Sequence, residues 1–317
     1  MIKQPSTGKL ISRFKLVLTD YVARSPRWVY DLTRSVIGML DRSIIYWNTR
    51  RGRPLTLVYQ QGRVASTSVY QALYPIKKAR PLYHVHTLSA NRADELISLA
   101  KRRKQSVPRN LFVGKYIANV MRQRPAGEDW KIISIFRDPI AVMLSLHFMQ
   151  PKNAFASTAV GGNYSLDDLL EHFTNLFEND DPQDWDVCTW YERIFKEETG
   201  VDVYSYPFDK ESGYGIIEDE NIRLLLIRFE DLSSQFAVAT KNWLDLDENV
   251  ELEHINIHRN RAMDDLHQRV RQELKISPEA CERIYSTRFI QHFYSPELIR
   301  QLSAKWTHPS SPTTGSR

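Results

Sequence analysis

Short apolar runs alternate with amphipathic stretches along most of the chain after residue 54. Five runs have the length and composition of buried strands: TLVYQ (56–60), LYHVHTL (82–88), KIISIFR (131–137), DVYSYPF (202–208) and IRLLLIRF (222–229). Helical patterns lie between them, near 67–74, 90–104, 139–149, 166–178 and 184–198. This alternation predicts an α/β domain of three layers around a mostly parallel central sheet.

Three further patterns refine this prediction. GYGIIEDENIRLLLIRF predicts a local hairpin with EDEN as its turn, so one part of the sheet is expected to be antiparallel. Residues 262–306 predict helices, because SPEACERI and SPELIRQL each open with Ser-Pro and an early glutamate. The small and polar residues near 150–165 predict a mobile loop, and 308–317 predict a flexible tail.

Charge separates the first 53 residues from the rest. Residues 1–53 hold 11 Lys/Arg and 3 Asp/Glu, whereas acidic residues slightly outnumber basic ones from residue 54 onward. In this arm an apolar stripe at helical spacing is flanked by basic residues; the stripe consists of Leu10, Ile11, Phe14, Val17, Leu18, Tyr21 and Val22. Two interpretations stand: a helix that packs on the α/β domain of 54–307, or peripheral contact with an anionic membrane or partner.

Composition limits the classes of function. Cys188 and Cys281 lie far apart with no Cys/His cluster near them, so neither a disulfide framework nor a zinc site is predicted. No apolar run approaches the roughly 20 residues that span a bilayer, and the N-terminus lacks the apolar core of a signal peptide. Basic residues are not interleaved with a nucleic-acid recognition module. We therefore expect a cytoplasmic protein without a metal site or a nucleic-acid partner.

The loop after the first strand has the chemistry of an anion site. It contains Gly62, Arg63, Val64, Ala65, Ser66, Thr67 and Ser68. Small residues let backbone N–H groups turn toward an anion, three hydroxyls can donate, and the next helix adds its positive N-terminal end. The loop lacks the Gly-Lys-Ser/Thr core of an ATP- or GTP-binding loop. An ordinary strand-to-helix turn, with Ser66 or Thr67 as N-cap, explains the segment equally well on its own.

The third strand ends in IFRDPIAVMLSLHF, where Arg137 closes the strand and Ser145 follows eight residues later. This arrangement resembles the sulfotransferases that use 3′-phosphoadenosine 5′-phosphosulfate (PAPS), in which an Arg and a Ser at this spacing hold the donor's 3′-phosphate. In that family a loop of the form Pro-Lys-x-Gly-[Ser/Thr]-[Ser/Thr] holds the 5′-phosphosulfate, and residues 62–67 are similar to it. LLLIRFEDL (224–232) resembles the family's Arg-Tyr-Glu-Asp-Leu strand end.

FDKESGYGI and RFIQHFYSPELI resemble bacterial sulfotransferase-like proteins assigned to capsular polysaccharide synthesis. The likeness covers roughly residues 54–300. It implies a P-loop NTPase-like sulfotransferase fold, PAPS as donor with 3′,5′-ADP as product, and a carbohydrate or polysaccharide acceptor. Two departures stand out: Arg63 replaces the usual Lys and Ala65 the usual Gly, which makes the cation planar and the loop less permissive.

A hydroxyl acceptor must lose its proton as it attacks sulfur, so a base is needed. YHVHTL offers His84 and His86 on one face of the second strand, with His86 nearer the carboxyl end. Polysaccharide 2-O-sulfotransferases have a similar His-x-His. The sequence predicts His86 as base, with His84 orienting it or contacting the acceptor, and Arg63 as a catalytic cation; two structural histidines, or a carboxylate base, remain the alternatives.

The resulting prediction is a PAPS-dependent sulfotransferase that acts on a carbohydrate hydroxyl without a metal. The alternatives are a nucleotide-dependent kinase and a non-catalytic polysaccharide-associated protein of the same fold. A kinase is disfavoured by the missing phosphate-loop core and by the lack of a clear magnesium-binding Asp after a strand.

Overall fold

A computed structural model describes residues 27–53, 55–103, 107–123, 130–149, 165–252 and 261–308. Its strands are β1 (Thr56–Tyr59), β2 (Leu82–Val85), β3 (Trp130–Phe136), β4 (Tyr214–Asp219) and β5 (Ile222–Arg228). The helices of the first half are α1 (Arg27–Arg50), α2 (Ser66–Leu73), α3 (Ala90–Arg102), α4 (Arg109–Gln123) and α5 (Pro139–Met149). Those of the second half are α6 (Leu166–Asn179), α7 (Asp186–Trp190), α8 (Lys196–Thr199), α9 (Leu232–Leu244), α10 (Arg261–Glu273), α11 (Pro278–Tyr285), α12 (Arg288–Phe293) and α13 (Pro296–Trp306). A π-helical turn at Tyr191–Phe195 joins α7 to α8.

The five strands form one sheet in the order β2-β1-β3-β5-β4. All neighbours are parallel except β4 and β5, which form the antiparallel hairpin that the sequence predicts. The central strands β1, β3 and β5 consist mostly of buried Ile, Leu and Val, as expected for strands covered on both faces. These features confirm the predicted α/β class with a mostly parallel sheet.

Helices cover both faces of this sheet. On β2, His84 packs near Tyr70 of α2, with ring centroids 6.0 Å apart. The next residue, Val85, points the other way and lies beside Gly114 of α4. A Cβ at Gly114 would come within 2.2 Å of the Thr87 carbonyl oxygen, so only glycine lets α4 approach this closely. The layered arrangement predicted from the sequence is therefore present around β2.

Two predicted strands differ from the structure. Residues 202–208 do not form a strand: the Asp202 carboxylate accepts a hydrogen bond from the Tyr204 N–H, which stabilises a 3₁₀ turn at Val203–Ser205. Pro207 also lacks the N–H that a sheet ladder needs. Strand β2 ends at Val85 rather than at residue 88, because Thr87 and the Leu88 N–H bond to the Glu198 side chain instead of a neighbouring strand.

The predicted helices after β1, β2 and β3 and the one at 166–178 are confirmed, and residues 262–306 are mostly helical as predicted. The helix predicted at 184–198 is present as α7, the π-helical turn and α8. The sequence analysis predicts neither α1 nor α4. The apolar stripe at 10–22, the loop near 150–164 and the tail after residue 308 lie outside the described residues, so the structure does not test those predictions. In the described part of the chain, no helix combines the length and apolar character that crossing a membrane requires.

Candidate anion-binding site

A cavity of about 660 Å³ opens at the carboxyl ends of the central strands. The sheet order changes direction between β1 and β3, since β2 lies on one side of β1 and β3 on the other. In open α/β sheets this switch point is the usual ligand site. The cavity is lined by residues 63–68, by Arg137, Asp138, Ala141 and Ser145, by Phe229, Glu230, Leu232 and Ser233, and by Leu252, Asp264, Arg271, Leu302 and Lys305.

The 62–68 loop has an unusual backbone. Arg63 and Ala65 both adopt left-handed conformations, with φ of 71° and 63°. Left-handed backbone is unfavourable for residues other than glycine by about 1–2 kcal/mol each. Ala65 is the N-cap of α2 and provides no side-chain hydrogen bond, so the predicted alternative of a Ser66 or Thr67 cap is wrong. The first N–H groups of α2 at the cavity wall therefore have no N-cap side chain.

The structure brings the two sequence motifs into contact. Arg63 Nε donates a hydrogen bond to Ser145 Oγ at 3.3 Å, although the residues lie 82 positions apart. Arg137 lies against the same loop, with Nη1 3.5 Å from the Arg63 carbonyl oxygen, and its guanidinium stacks 4.1 Å from the centre of the Phe229 ring. Gly62 is the one member of the predicted loop that does not line the cavity.

Arg137 is a half-buried cation. Burial and the nearby charge of Arg271 lower the pKa of Arg137 from its ordinary value. Its Nε is buried and has no hydrogen-bond partner among the described residues, and the same holds for Arg271 Nε. Buried donors without partners are costly unless a ligand satisfies them. Two cations with orphaned donors at one cavity therefore fit an anionic ligand.

Three carboxylates also line the cavity, and one of them is fully engaged in holding the fold. Asp138 is buried and accepts hydrogen bonds from the Tyr285 hydroxyl and Trp306 Nε1, each at 3.0 Å, and from the Ile140 N–H. These bonds attach α11 and α13 to the end of β3. Asp138 is thus a structural anchor, and its oxygens are not offered to a ligand.

Glu230 lies beside Asp138 on the cavity wall. Burial, and then the charge of Asp138, raises the pKa of Glu230 to about 7. Its Oε1 accepts the Asp138 N–H at 3.0 Å, and its Oε2 accepts the Tyr294 hydroxyl at 3.3 Å. Near neutral pH this carboxyl is therefore protonated in a large share of molecules. The four cations of the wall, Arg63, Arg137, Arg271 and Lys305, consequently outweigh the carboxylates.

Behind this wall, Arg228 joins three stretches that the sequence singled out. It pairs with Asp231, and its two terminal nitrogens each donate at 2.9 Å, to the Phe293 and Lys210 carbonyl oxygens. The Arg228 side chain is only 3% exposed. The IRFEDL, FDKESGYG and HFYSPE segments therefore meet at one buried guanidinium, and this cluster fixes the strand end that carries Phe229 and Glu230.

The two predicted base histidines do not line this cavity. His84 and His86 pack against each other, with ring centroids 4.7 Å apart, and His84 faces Tyr70. Burial, and then the charge of His86, lowers the pKa of His84 to about 4, and its Nε2 is buried without a partner among the described residues. His86 is exposed, and partial desolvation lowers its pKa as well. The assignment of either as base stays a prediction.

Several cavity residues were not found from the sequence. Phe229 and Glu230 follow a predicted strand end, so their place in an α/β sheet could have signalled them. Arg271 and Lys305 lie on α10 and α13, far along the chain, and carry no local motif. Only the packing of the C-terminal helices over the sheet brings them to the cavity.

Comparison with known proteins gives one family match. Residues 167–295 match the NKWYS family model, described as "Putative capsular polysaccharide synthesis protein". The matched segment contains the Arg228 cluster and the lining residues Phe229, Glu230 and Arg271, but not the 62–68 loop or Arg137. Searches of curated proteins and of solved structures found no match. The matched segment thus resembles a family assigned to polysaccharide synthesis.

Proposed function

We propose that this protein is a PAPS-dependent sulfotransferase that acts on a carbohydrate hydroxyl. The observation that carries the proposal is the meeting of two distant motifs, the 62–68 loop and the Arg137–Ser145 pair, on one cationic cavity. The resemblance stated above assigns one motif to the 5′-phosphosulfate and the other to the 3′-phosphate of a single donor. Such a donor requires both motifs to face one space, and they do.

The residues present suit a ligand with two separate anionic groups. Arg137 and Ser145 supply a guanidinium and a hydroxyl for the 3′-phosphate, and the orphaned Arg137 Nε supports this role. The N–H groups at the start of α2 and the hydroxyls of Ser66 and Thr67 would hold the 5′-phosphate side. The stacked Phe229 fixes Arg137, so that little reorganisation is needed on binding.

The donor supplies an activated sulfuryl group, and the protein contributes position and charge. In this proposal Arg63 stabilises the negative charge that develops on the bridging oxygen as the sulfuryl group leaves. Arginine offers a planar fork of donors where the family has lysine, so the geometry of this contact differs. Transfer in line to a hydroxyl also requires a base and needs no metal. His86, with His84 beside it, is the base that the sequence predicts.

The acceptor class rests on the family match. The matched segment, whose family is described for capsular polysaccharide synthesis, contributes Phe229, Glu230 and Arg271 to the lining of the cavity that the 62–68 loop also lines. In this proposal the acceptor hydroxyl approaches the donor along this part of the lining. We therefore assign the acceptor to carbohydrates, with a polysaccharide or its precursor as the expected substrate.

Incubation of the purified protein with ³⁵S-labelled PAPS and a panel of host polysaccharides tests the proposal. Transfer of label to a glycan, lost in an Arg137→Ala variant, is the expected result. Binding of 3′,5′-ADP with no transfer to any glycan would favour a non-catalytic polysaccharide-associated protein. Tighter binding of ATP, with transfer of phosphate from γ-³²P-ATP, would favour a kinase.

A further inference from the structure

Helix α1 has one face that packs on the domain. Asp41, Ile45 and Thr49 are buried there, and Asp41 forms a bidentate ion pair with Arg109 at the start of α4. This contact fixes the orientation of the second half of α1. The side chains on the other side of the helix are consequently turned away from the domain.

That outer side is apolar. Met39 and Trp47 are 65% and 57% exposed, and Leu40, Ile44 and Tyr46 are also exposed. Positions 40, 44 and 47 lie on one helix face, with 39 and 46 beside it. Five large apolar side chains on two turns of helix form a patch of the kind that marks an interaction site.

The rim of the patch is basic. Arg50 stacks on the Tyr46 ring at 5.0 Å from its centre, and Arg51 stacks on the Trp47 ring at 5.7 Å. Arg42 and Arg53 add two more charges, and Asp41, which is buried, is the only acidic residue between positions 38 and 53. Aromatic rings, aliphatic side chains and arginines on one helix are typical of a surface that lies in the headgroup region of a bilayer.

We propose that the outer face of α1 binds an anionic lipid surface. Charge favours anionic lipid on this face over residues 1–26 of the chain and over a second copy of the protein. The chain's own residues 1–26 carry five Lys/Arg and one Asp, so the arginine rim would repel them, whereas anionic lipid attracts both. A second copy of the protein, docked through the same face, would bring two arginine rims together. The proposal is independent of the sulfotransferase assignment.

Co-sedimentation of the full chain with phosphatidylcholine vesicles, with and without about a third phosphatidylglycerol, tests this surface. We expect binding to the anionic vesicles that weakens with salt, and an affinity at least about tenfold lower for a Leu40→Glu/Ile44→Glu variant. Val238→Glu, at another exposed apolar position, is the matched control and should bind like the unaltered protein. Thermal unfolding of each variant shows that the fold is retained.

Three outcomes would overturn the lipid assignment. They are equal binding to neutral and anionic vesicles, unchanged binding of the double variant, and no binding to either vesicle. Sedimentation velocity without lipid measures whether a second copy of the protein binds this face. A dimer that the double variant abolishes would show that a second copy occupies the patch.

A second inference concerns α10 and rests on the proposed function. Asp264, His267 and Arg271 occupy positions i, i+3 and i+7, so they share one face of the helix. Asp264 and Arg271 line the cavity on either side of His267. The His267 ring packs on Phe148 with centroids 4.7 Å apart, and Phe148 lies one helical turn after Ser145. His267 itself does not line the cavity, but it lies between two residues of α10 that do and packs on the helix that carries Ser145.

The charges around His267 come from the cavity wall. Burial, and then Arg271, Arg137 and Arg63, lowers the pKa of His267 to about 4, while Asp264 acts in the opposite direction. Its Nε2 is buried and has no hydrogen-bond partner among the described residues. An anionic donor would offset the three guanidiniums and raise the proton affinity of the imidazole. The ring would then be neutral and more basic once the donor is bound.

We propose that His267 is the base that accepts the acceptor's proton. The acceptor oxygen forms a bond to sulfur while the bridging S–O bond breaks, its electron pair leaves on the phosphate of 3′,5′-ADP, and the hydroxyl proton moves to the imidazole. His267 suits this step because it shares a helix face with Asp264 and Arg271, which line the cavity, whereas none of residues 82–88 around His84 and His86 lines it.

NMR titration of the histidine ring protons, with and without 3′,5′-ADP, tests the placement without a known acceptor. We expect 3′,5′-ADP to raise the pKa of His267 by at least about one unit and to leave His292, a matched histidine on α12, unchanged. In a PAPS hydrolysis assay, with water as acceptor, His267→Asn should lower the rate at least about 100-fold at unchanged 3′,5′-ADP affinity. His292→Asn should keep the full rate.

The outcomes separate the two proposals. If the unaltered protein does not bind 3′,5′-ADP, the proposed donor is wrong. If it binds 3′,5′-ADP and the pKa of His267 does not change, the donor is supported and the base assignment is wrong. The base assignment is also wrong if His267→Asn hydrolyses PAPS at the rate of the unaltered protein. If His86→Asn loses turnover and His267→Asn keeps it, His86 is the base, as the sequence predicts.

Discussion

Arg63 Nε donates a hydrogen bond to Ser145 Oγ at 3.3 Å and thereby joins the loop after β1 to the helix after β3. Both side chains belong to motifs that resemble donor-binding elements, yet nothing local connects residues 82 positions apart. The contact exists because β1 and β3 are neighbours in the sheet, so their carboxyl ends open on the same space. One donor molecule could then be held by both motifs.

Selectivity for 3′,5′-ADP is the first expected consequence. In the proposed function, Arg137 and Ser145 hold a 3′-phosphate while the 62–68 loop holds the 5′-phosphate, and ADP and ATP lack the 3′-phosphate. Arg137→Ala should weaken 3′,5′-ADP binding by about 2–5 kcal/mol, since it removes a buried charged contact, and Ser145→Ala by about 1–2 kcal/mol. Isothermal titration calorimetry of each variant with 3′,5′-ADP, ADP and ATP measures these differences.

Binding of ATP as tight as that of 3′,5′-ADP would contradict this assignment. Unaltered affinity in both variants would show that the two residues do not contact the nucleotide. Ser233→Ala, at another hydroxyl on the cavity wall, serves as a control for general loss of polarity and should change the affinity little.

The role of Arg63 can be separated into binding and catalysis. If its guanidinium stabilises charge that develops on the bridging oxygen, Arg63→Ala should lower kcat by about 100-fold or more and change donor affinity much less. Arg63→Lys should keep substantial activity, because lysine is the residue that the resembled family has at this position. Steady-state kinetics together with calorimetry provides both values. A loss of affinity at constant kcat would make Arg63 a phosphate anchor only.

Backbone strain in the same loop predicts an unusual response to glycine. Ala65 has a φ of 63°, so Ala65→Gly relieves about 1–2 kcal/mol of strain and costs about 0.4–1 kcal/mol in unfolded-state entropy. We expect a net stabilisation between zero and about 1.5 kcal/mol. Ala100→Gly, inside α3, should instead destabilise by about 0.5–1 kcal/mol. Urea unfolding of both variants gives the comparison, and equal destabilisation would refute the left-handed assignment.

The Arg228 cluster predicts a contrast between two glycines. Gly213 and Gly200 both have positive φ, but a Cβ at Gly213 would come within 2.2 Å of Asp231 Oδ2, whereas nothing lies within 4 Å at Gly200. Gly213→Ala must displace the carboxylate that pairs with buried Arg228, so it should destabilise by about 3–5 kcal/mol. Gly200→Ala should cost only the backbone term, about 1–2 kcal/mol. Chemical unfolding measures the loss of unfolding free energy in each variant. Equal losses in Gly213→Ala and Gly200→Ala would show that the Asp231 carboxylate moves aside at little cost.

Glu230 predicts a pH dependence of stability. Its pKa is about 7 in the folded protein, against 4.5 as the ordinary value. Between these values the folded state keeps a proton that the unfolded state releases, so the stability contributed by Glu230 falls as pH rises. The total loss is on the order of 3 kcal/mol, at about 1.4 kcal/mol per pKa unit. Glu230→Gln should not show the part of the fall in unfolding free energy with rising pH that the Glu230 carboxyl contributes.

Unfolding free energies of the unaltered protein and of Glu230→Gln, measured from about pH 5 to pH 7.5, test that expectation. The difference should shift in favour of the variant as pH rises. Glu297→Gln, at an exposed position on α13, should show no such trend in this range. A constant difference for Glu230→Gln would mean that the carboxyl titrates as in water.

The sequence by itself determined the elements in which local pattern and turn chemistry agree. Apolar runs of strand length specified β1, β3 and β5, and the EDEN turn specified the β4–β5 hairpin, because adjacent strands need only a short connection. Where local chemistry competed with composition, prediction from pattern failed: the β-like residues 202–208 form a turn around the Asp202 side chain. The residues of the 62–68 loop predict an anion site but fit an ordinary strand-to-helix turn equally well, and they do not indicate which other residues line the cavity.

Only the tertiary structure decided which residues share the cavity. The strand order, which sets β1 beside β3, depends on how whole layers pack, and no single segment encodes it. Arg271 and Lys305 reach the cavity because α10 and α13 fold back over the sheet, and His84 and His86 stay outside it because the side chain of His84 on β2 points toward α2. Contacts between residues distant in the chain arise from burial of apolar surface, which is non-directional and therefore leaves no local signature in the sequence.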